Sequence, residues 1–321
     1  MRKPASLQDL LARARAGERS SLARLLSVAE AGGPEADALD ALCLLDDRER
    51  SVTVGITGAP GAGKSTLTAE LLREARRELA KIAVLAIDPS SPLTGGAILG
   101  DRVRMHQAAV DDGTFIRSMA SRGHQGGLAL AASLATRVLE AGGWPWILLE
   151  TVGIGQVEVE ISAAADIVVV VLNPGWGDEI QANKAGLMEI ADLFVINKAD
   201  REGAAQTRRD IEAALMSRAG PPVPVIDTVA IRAEGVAELW AAIRSRMDQL
   251  AASGELARRR EQRLASELAE SALARLRERL AAALAGEAGR VALAGIARGE
   301  QGVREAAARL VATLATGGAP R

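Results

Sequence analysis

Tyrosine is absent from this chain of 321 residues, and phenylalanine and tryptophan together supply only 2% of it. A core of ordinary size must therefore be filled by Ala, Leu, Val and Ile, which favours helices between strands. A single cysteine, Cys43, excludes an intramolecular disulfide and fits a reducing cytoplasm, the expected location. It reads as a small core residue on a helix. The two histidines, His106 and His124, have no cysteine or second histidine at ligand spacing, which argues against a His/Cys metal site. No apolar stretch reaches the roughly 18 residues needed to span a membrane. The start, Met-Arg-Lys-Pro-Ala-Ser-Leu-Gln-Asp, lacks the apolar segment of a signal peptide, so no membrane partner is expected. Neither sign of charge is in excess, with 39 basic against 41 acidic residues, which argues against a nucleic-acid surface.

What is present divides the chain into three. Residues 1–47 read as helical, with Leu7, Leu10, Leu11, Leu22, Leu25 and Leu26 at three- and four-residue spacing and Ser6 and Asp9 as a start signal. Residues 48–248 carry short, continuously apolar runs separated by helical stretches. The candidate strands are Val52–Thr57, Ile82–Ile87, Thr114–Arg117, Trp146–Glu150, Ile167–Leu172, Leu193–Asn197 and Val223–Ile226. Strands without polar alternation are buried on both faces, so the fold class is α/β: a three-layer, mostly parallel sheet with helical extensions at both ends. Residues 249–321 read as helices over 250–285 and 301–316. Leu256, Leu264, Leu268, Leu273, Leu276, Leu280 and Leu284 form a stripe that needs a covering surface. A homodimer supplies one; the parent domain is the other.

Two motifs carry the chemistry. Gly58-Ala59-Pro60-Gly61-Ala62-Gly63-Lys64-Ser65 follows a strand and opens a helix, the context of a phosphate-binding loop. Its backbone N–H groups and the helix N-terminus, with Thr66 next in line, suit the phosphates of a nucleotide. Lys64 places a positive charge at the β- and γ-phosphates, and Ser65 offers a hydroxyl to Mg²⁺. About 135 residues on, Asn197-Lys198-Ala199-Asp200 ends another strand. The Asp200 carboxylate can accept from both N1–H and the exocyclic amine of guanine, a donor pair adenine lacks. Asn197 would tie the loop together, and Ala230 could donate its N–H to the guanine O6. The expected ligands are GTP and GDP.

Carboxylates at strand ends suit a hard cation that keeps several waters. Asp88, Asp101 and Glu150 are the candidates for Mg²⁺ beside Ser65. Gly153 is placed to donate to a γ-phosphate and to move when it leaves. Gln156 is a candidate water-positioning residue, with a structural switch role as the alternative. Lys64, Glu150, Gly153 and Gln156 are thus the catalytic candidates. No arginine is obviously poised as a finger: Arg102, Arg104, Arg117 and Arg122 are candidates, though each such residue is more often a surface or structural charge. His124 reads as a loop residue or a switch contact, and Trp176 as a partner contact or internal packing.

Gly58–Ser65, Asp88–Met105, Phe115–His124, Glu150–Glu158, Pro174–Lys184 and Asn197–Asp200 together resemble the MeaB/ArgK/MMAA family, the GTPase chaperones of cobalamin-dependent acyl-CoA mutases. The resemblance covers roughly 50–245 and extends more loosely to Arg258-Arg259-Arg260-Glu261-Gln262. It implies GTP hydrolysis, a mutase partner of the methylmalonyl-CoA type, an adenosyltransferase as a further candidate partner, and a homodimer. It also implies that Asp178, Gln181 and Lys184 couple the nucleotide site to the mutase. The chain departs from the pattern at Val157, where a small polar residue is usual, and at Thr228-Val229-Ala230, where the family has Ser-Ala. Two other readings share the nucleotide site. A metal-insertion GTPase would need a Cys/His site, and a kinase would need an acceptor pocket and a general base.

Overall fold

In a computed structural model of the chain, the described residues are 5–44, 50–89, 111–121, 127–151, 164–175, 188–216 and 221–315. Asp101, Gly153, Gln156, Asp178, Gln181, Lys184, His106, His124 and Trp176 lie outside them. The chain forms two compact units, Met1–Arg263 and Leu264–Arg321. Both sequence-based segment limits fall inside the first.

The first unit is built on a seven-stranded sheet: β1 Val52–Gly58, β2 Ile82–Pro89, β3 Thr114–Ser121, β4 Trp146–Thr151, β5 Ile167–Leu172, β6 Leu193–Asn197 and β7 Val225–Thr228. Their order is β3-β2-β4-β1-β5-β6-β7. Every pairing is parallel. The continuous apolar runs arise because both faces are covered. Along β5, Val168, Val170 and Leu172 enter one core cluster, and Ile167, Val169 and Val171 enter the other. The first cluster is closed by α1 Leu7–Arg15, α2 Arg19–Ala31, α3 Gly33–Leu44 and α5 Gly127–Ala141. The second is closed by α4 Lys64–Ala75 and α7 Val236–Ala252. A further helix, α6 Ala204–Met216, adds Ile211 to the first. Cys43 is buried there, as its apolar reading requires.

Four of the scarce aromatics pair as plugs. Phe115 meets Trp144 at 5.7 Å between ring centroids, and Trp146 meets Trp240 edge-on at 4.9 Å. The last strand begins two residues later than the expected Val223, because Pro224 has no N–H for the ladder. Its carbonyl accepts from the Phe194 N–H instead, at 2.9 Å.

At the amino ends of β5 and β6 two aspartates sit in the core, Asp166 and Asp192, with side chains only 1% and 2% exposed. Each also caps a neighbouring strand through backbone N–H groups: Thr53 donates to Asp166 at 3.0 Å and Val168 to Asp192 at 3.0 Å. Their counter-charges come from α7 and the start of α8 (Glu255–Ala285). Arg260 and Arg263 pair with Asp166 at 2.7 and 2.8 Å, and Arg246 and Arg259 with Asp192 at 2.9 Å each. The Arg-rich stretch after α7 is thus a clamp that fixes the first turns of α8 beneath the sheet. The expected helix over 250–285 accordingly begins only at Glu255, after a turn at Ser253-Gly254.

The second unit contains the rest of α8 with α9 Glu287–Ala297 and α10 Val303–Ala315. The helix α9 was not foreseen; it follows a 65° bend at Gly286. Arg279 closes the unit by donating to the Leu314 carbonyl at 2.7 Å, and Gln301 donates to the Ala292 carbonyl at 3.1 Å. Leu264, Leu268, Leu273, Leu276 and Leu284 are exposed in the single chain. Among the described residues no single helix is long and apolar enough to cross a membrane.

Burial pushes the Asp166 carboxyl up, but the hydrogen bond from Arg260 and the charges of Arg263 and Arg260 outweigh it, so its pKa lies below the ordinary carboxylate value. A depressed folded-state pKa stabilises the fold above the unfolded value and loses that contribution as pH falls through the folded one. Replacing Asp166 by Ala should cost about 3–5 kcal/mol near neutral pH, since it strands two arginines. Urea unfolding should show the gap from wild type narrowing in acid; an equal midpoint for both proteins at pH 7 would rule the clamp out.

Candidate nucleotide site

The sheet reverses its direction of growth at β1, with β4 on one side and β5 on the other. Ligands of open parallel sheets bind outside the carboxyl ends of the strands at such a point. Here those ends deliver the two motifs to one place. Leaving β1, the chain makes a tight loop over 58–63 and enters α4 at Lys64. Gly58 has φ of +134°, and a Cβ there would lie 1.9 Å from the Val171 carbonyl oxygen on β5, so only glycine lets the loop leave the sheet at this angle. The N-terminus of α4 has no side-chain cap. Its first-turn N–H groups therefore suit an anion.

Lys64 is 7% exposed and curls over the loop, donating from Nζ to the Gly58 and Ala59 carbonyls at 2.8 and 3.0 Å. Its ammonium thus lies within the turn that the phosphates would occupy. Ser65, one residue on, donates its hydroxyl to Glu150 Oε1 at 2.5 Å. Glu150 is 2% exposed near the end of β4, in register with Ile56 on β1 and Ala86 on β2. A hydroxyl and a carboxylate in contact form an all-oxygen donor pair, which suits Mg²⁺ rather than a soft metal. Asp88 stands at the end of β2, two residues beyond Ala86, the register partner of Glu150. Arg117, a candidate charge stabiliser, is held by Ser27 and Glu30 on α2 at 3.0 and 3.3 Å. Among the described residues no group of three or more His, Cys, Asp or Glu could hold a metal.

The second motif closes on the first. Asn197, 2% exposed at the end of β6, donates from Nδ2 to the Ala62 carbonyl at 2.8 Å. Its Oδ1 accepts from Thr228 Oγ1 at 3.2 Å and from the Ala230 N–H at 3.1 Å. Lys198, at φ +59°, donates from Nζ to the Gly61 carbonyl at 2.6 Å. One buried amide and one ammonium therefore weld the phosphate loop to the base loop. Ala230, expected to face guanine O6, here directs its N–H to Asn197. Asp200, the expected base reader, lies beyond this weld with its side chain 34% exposed.

The structure thus gathers Gly58–Ser65, Glu150, Asn197, Lys198, Asp200 and Ala230 at one end of the sheet, with Thr66 in the first turn of α4. Thr228 entered the sequence reading only as a departure from the family's Ser-Ala, and its supporting bond to Asn197 was missed. Its signal was its place at the end of the last strand, directly before the loop containing Ala230. Arg232, which contacts Asp200, was also missed.

Gly63 is the tightest point of the weld: a Cβ there would stand 2.5 Å from Asn197 Nδ2. Gly63→Ala also forces a left-handed residue, with strain of about 1–3 kcal/mol. Calorimetric GDP affinity should fall roughly tenfold for each 1.4 kcal/mol of that strain not relieved. Unchanged affinity would mean that the two loops are not coupled through Asn197.

Residues 22–285 match the family model described as methylmalonyl Co-A mutase-associated GTPase MeaB. A Pyrococcus abyssi protein assigned as a GTPase is 47% identical over 269 residues, 82% of each chain. GTPase ArgK of Escherichia coli is 38% identical over 268 residues, 80% of this chain and 81% of its own. Among solved structures, one described as LAO/AO transport system kinase aligns with a TM-score of 0.71 at 28% identity, covering 98% of this chain and 99% of that one. The conjunction of welded loops, sheet topology and these relatives identifies the chain as a guanine-nucleotide-binding GTPase of the MeaB/ArgK/MMAA family.

Proposed function

We propose that this GTPase is a chaperone of a cobalamin-dependent acyl-CoA mutase of the methylmalonyl-CoA type, gating cofactor loading and protecting the loaded enzyme. The weld carries the nucleotide-binding part of this reading. The same buried amide that positions the base loop holds the Ala62 carbonyl of the phosphate loop. The family model names a methylmalonyl Co-A mutase association, which supports this choice of partner. An adenosyltransferase that supplies the cobalamin cofactor is the second partner proposed.

The chain's own groups perform the positioning that phosphoryl transfer requires. Lys64 moves from the loop carbonyls to the phosphates. Ser65 and Glu150 would hold Mg²⁺, with Asp88 and Asp101 as further candidate carboxylates; the ion would neutralise charge on the phosphate oxygens. Gly153 donates to the γ-phosphate and Gln156 orients water. Asp178, Gln181 and Lys184 pass the state of the site to the mutase. Intrinsic hydrolysis is slow and rises when the partner orders the switches. We assign the protein to the cytoplasm, with no nucleic-acid or membrane partner. The exposed leucines of the C-terminal helices favour a homodimer.

Phosphate release from GTP tests this directly. Lys64→Ala should lower it by about 100-fold or more, as for loss of one preorganised charge-stabilising donor. Adding the cognate mutase should raise the wild-type rate. Methylmalonyl-, isobutyryl- and hydroxyisobutyryl-CoA mutases all failing to change it would refute the chaperone role. Transfer of the labelled phosphate to a protein or small molecule, rather than to water, would favour the kinase reading.

A further inference from the structure

The Asp200 carboxylate has a partner that the base-reading motif does not include. Arg232, the last residue of the 3-10 turn Ala230–Arg232, donates from Nη1 to Asp200 Oδ2 at 3.2 Å. The same guanidinium is forked on Glu234, with Nε to Oε1 at 2.7 Å and Nη2 to Oε2 at 3.2 Å. Glu234 is itself fixed: its carbonyl accepts the Val229 N–H at 3.1 Å in an antiparallel bridge. Val229 lies between Thr228 and Ala230, the two residues that hold Asn197 Oδ1. Behind them the Ala199 N–H bonds the Thr228 carbonyl at 3.0 Å. The two halves of the base loop are therefore joined three ways, by the Asn197 amide, by backbone and by the chain Asp200–Arg232–Glu234.

An aspartate at this exposure has a broad terminal torsion, so nothing local fixes the orientation of its carboxylate plane. A carboxylate offers about four acceptor sites. Arg232 takes one of them on Oδ2, which leaves enough for the guanine N1–H and its exocyclic amine. The arginine can thus remain in place while the base is bound. Its planar fork, pinned at two nitrogens by Glu234, sets an orientation that a lysine could not.

We propose that Arg232, held by Glu234, is a positioning residue for base discrimination: it fixes the plane of the Asp200 carboxylate so that both oxygens meet the donor edge of guanine. This rests on the reading of Asp200 as the residue that contacts the base.

Calorimetric affinities of the full chain for GDP, IDP and XDP separate the two claims. IDP keeps N1–H but lacks the exocyclic amine. Arg232→Gln should lower the ratio of GDP to IDP affinity about three- to tenfold, the range of a partly exposed charged contact. Glu234→Gln should shift it the same way by less. A general loop defect would weaken GDP and IDP alike, so an unmoved ratio overturns the proposal. A rise in GDP affinity also overturns it, because Arg232 would then be competing with the base. Should Arg232→Gln unfold, as a thermal melt would reveal, Glu234→Gln decides by the same ratio. Asp200→Asn should exchange GDP preference for XDP. Failure of that exchange sinks the reading of Asp200 itself, whereas a normal exchange with an unmoved Arg232→Gln ratio sinks only the role of Arg232.

Discussion

A buried amide, with the Lys198 ammonium beside it, joins the two ends of the ligand site. Asn197 donates to the Ala62 carbonyl and accepts from Thr228 and Ala230. A buried amide with its donor and acceptor both engaged is costly to disturb, since freeing either group leaves an unpaired polar atom in the core. It sets the distance between the phosphate turn and the base loop, and hence the length of ligand the protein can grip. The glycine at position 63 is explained by the same contact, because any side chain there would displace the amide.

The sheet serves that amide. The strands β1, β4, β5 and β6 end together because they are parallel and in register, and helices on both faces keep their backbones dry. The opposite end of the sheet is fixed by charge instead. Asp166 and Asp192 cap neighbouring strands and draw four arginines from α7 and α8 beneath them. Buried ion pairs are weak sources of net stability but strong sources of register, because a shifted helix would strand a charge. The nucleotide end is thus left for ligand chemistry, and the far end anchors the helix that continues into the C-terminal unit.

Much of this was legible in the amino-acid sequence. Apolar runs marked the strands; in β1, β5 and β6 they are continuous because burial on both faces erases alternation, whereas the edge strand β7 is buried on alternate residues only. β5 and β6 were placed at their observed limits. The glycine spacing and the Asn-Lys-Ala-Asp tetrapeptide located the two loops, because those chemistries demand particular residues at particular offsets. What escaped was non-local. The partner of Asp200 is 32 residues away, and the partners of Asp166 are about 95 residues away. Nothing in a lone Asp before a strand, or in an Arg-rich helix start, says which meets which. The helix α9 escaped because Gly286 at its start and Gly289 and Gly295 within it weaken the helical signal. Ala230 was expected to direct its N–H at the base, but the structure gives that N–H to the buried amide. Local spacing could not reveal that preference.

The Gly58–Ser65 turn and the Asp200 carboxylate are proposed to grip one guanine nucleotide between them. The most direct measurement is a pair of calorimetric titrations of the wild-type chain with GDP and with ADP under identical conditions. GDP should bind saturably at one site, and ADP, which has no donor pair for Asp200, far more weakly. Equal affinity for the two diphosphates would contradict that grip.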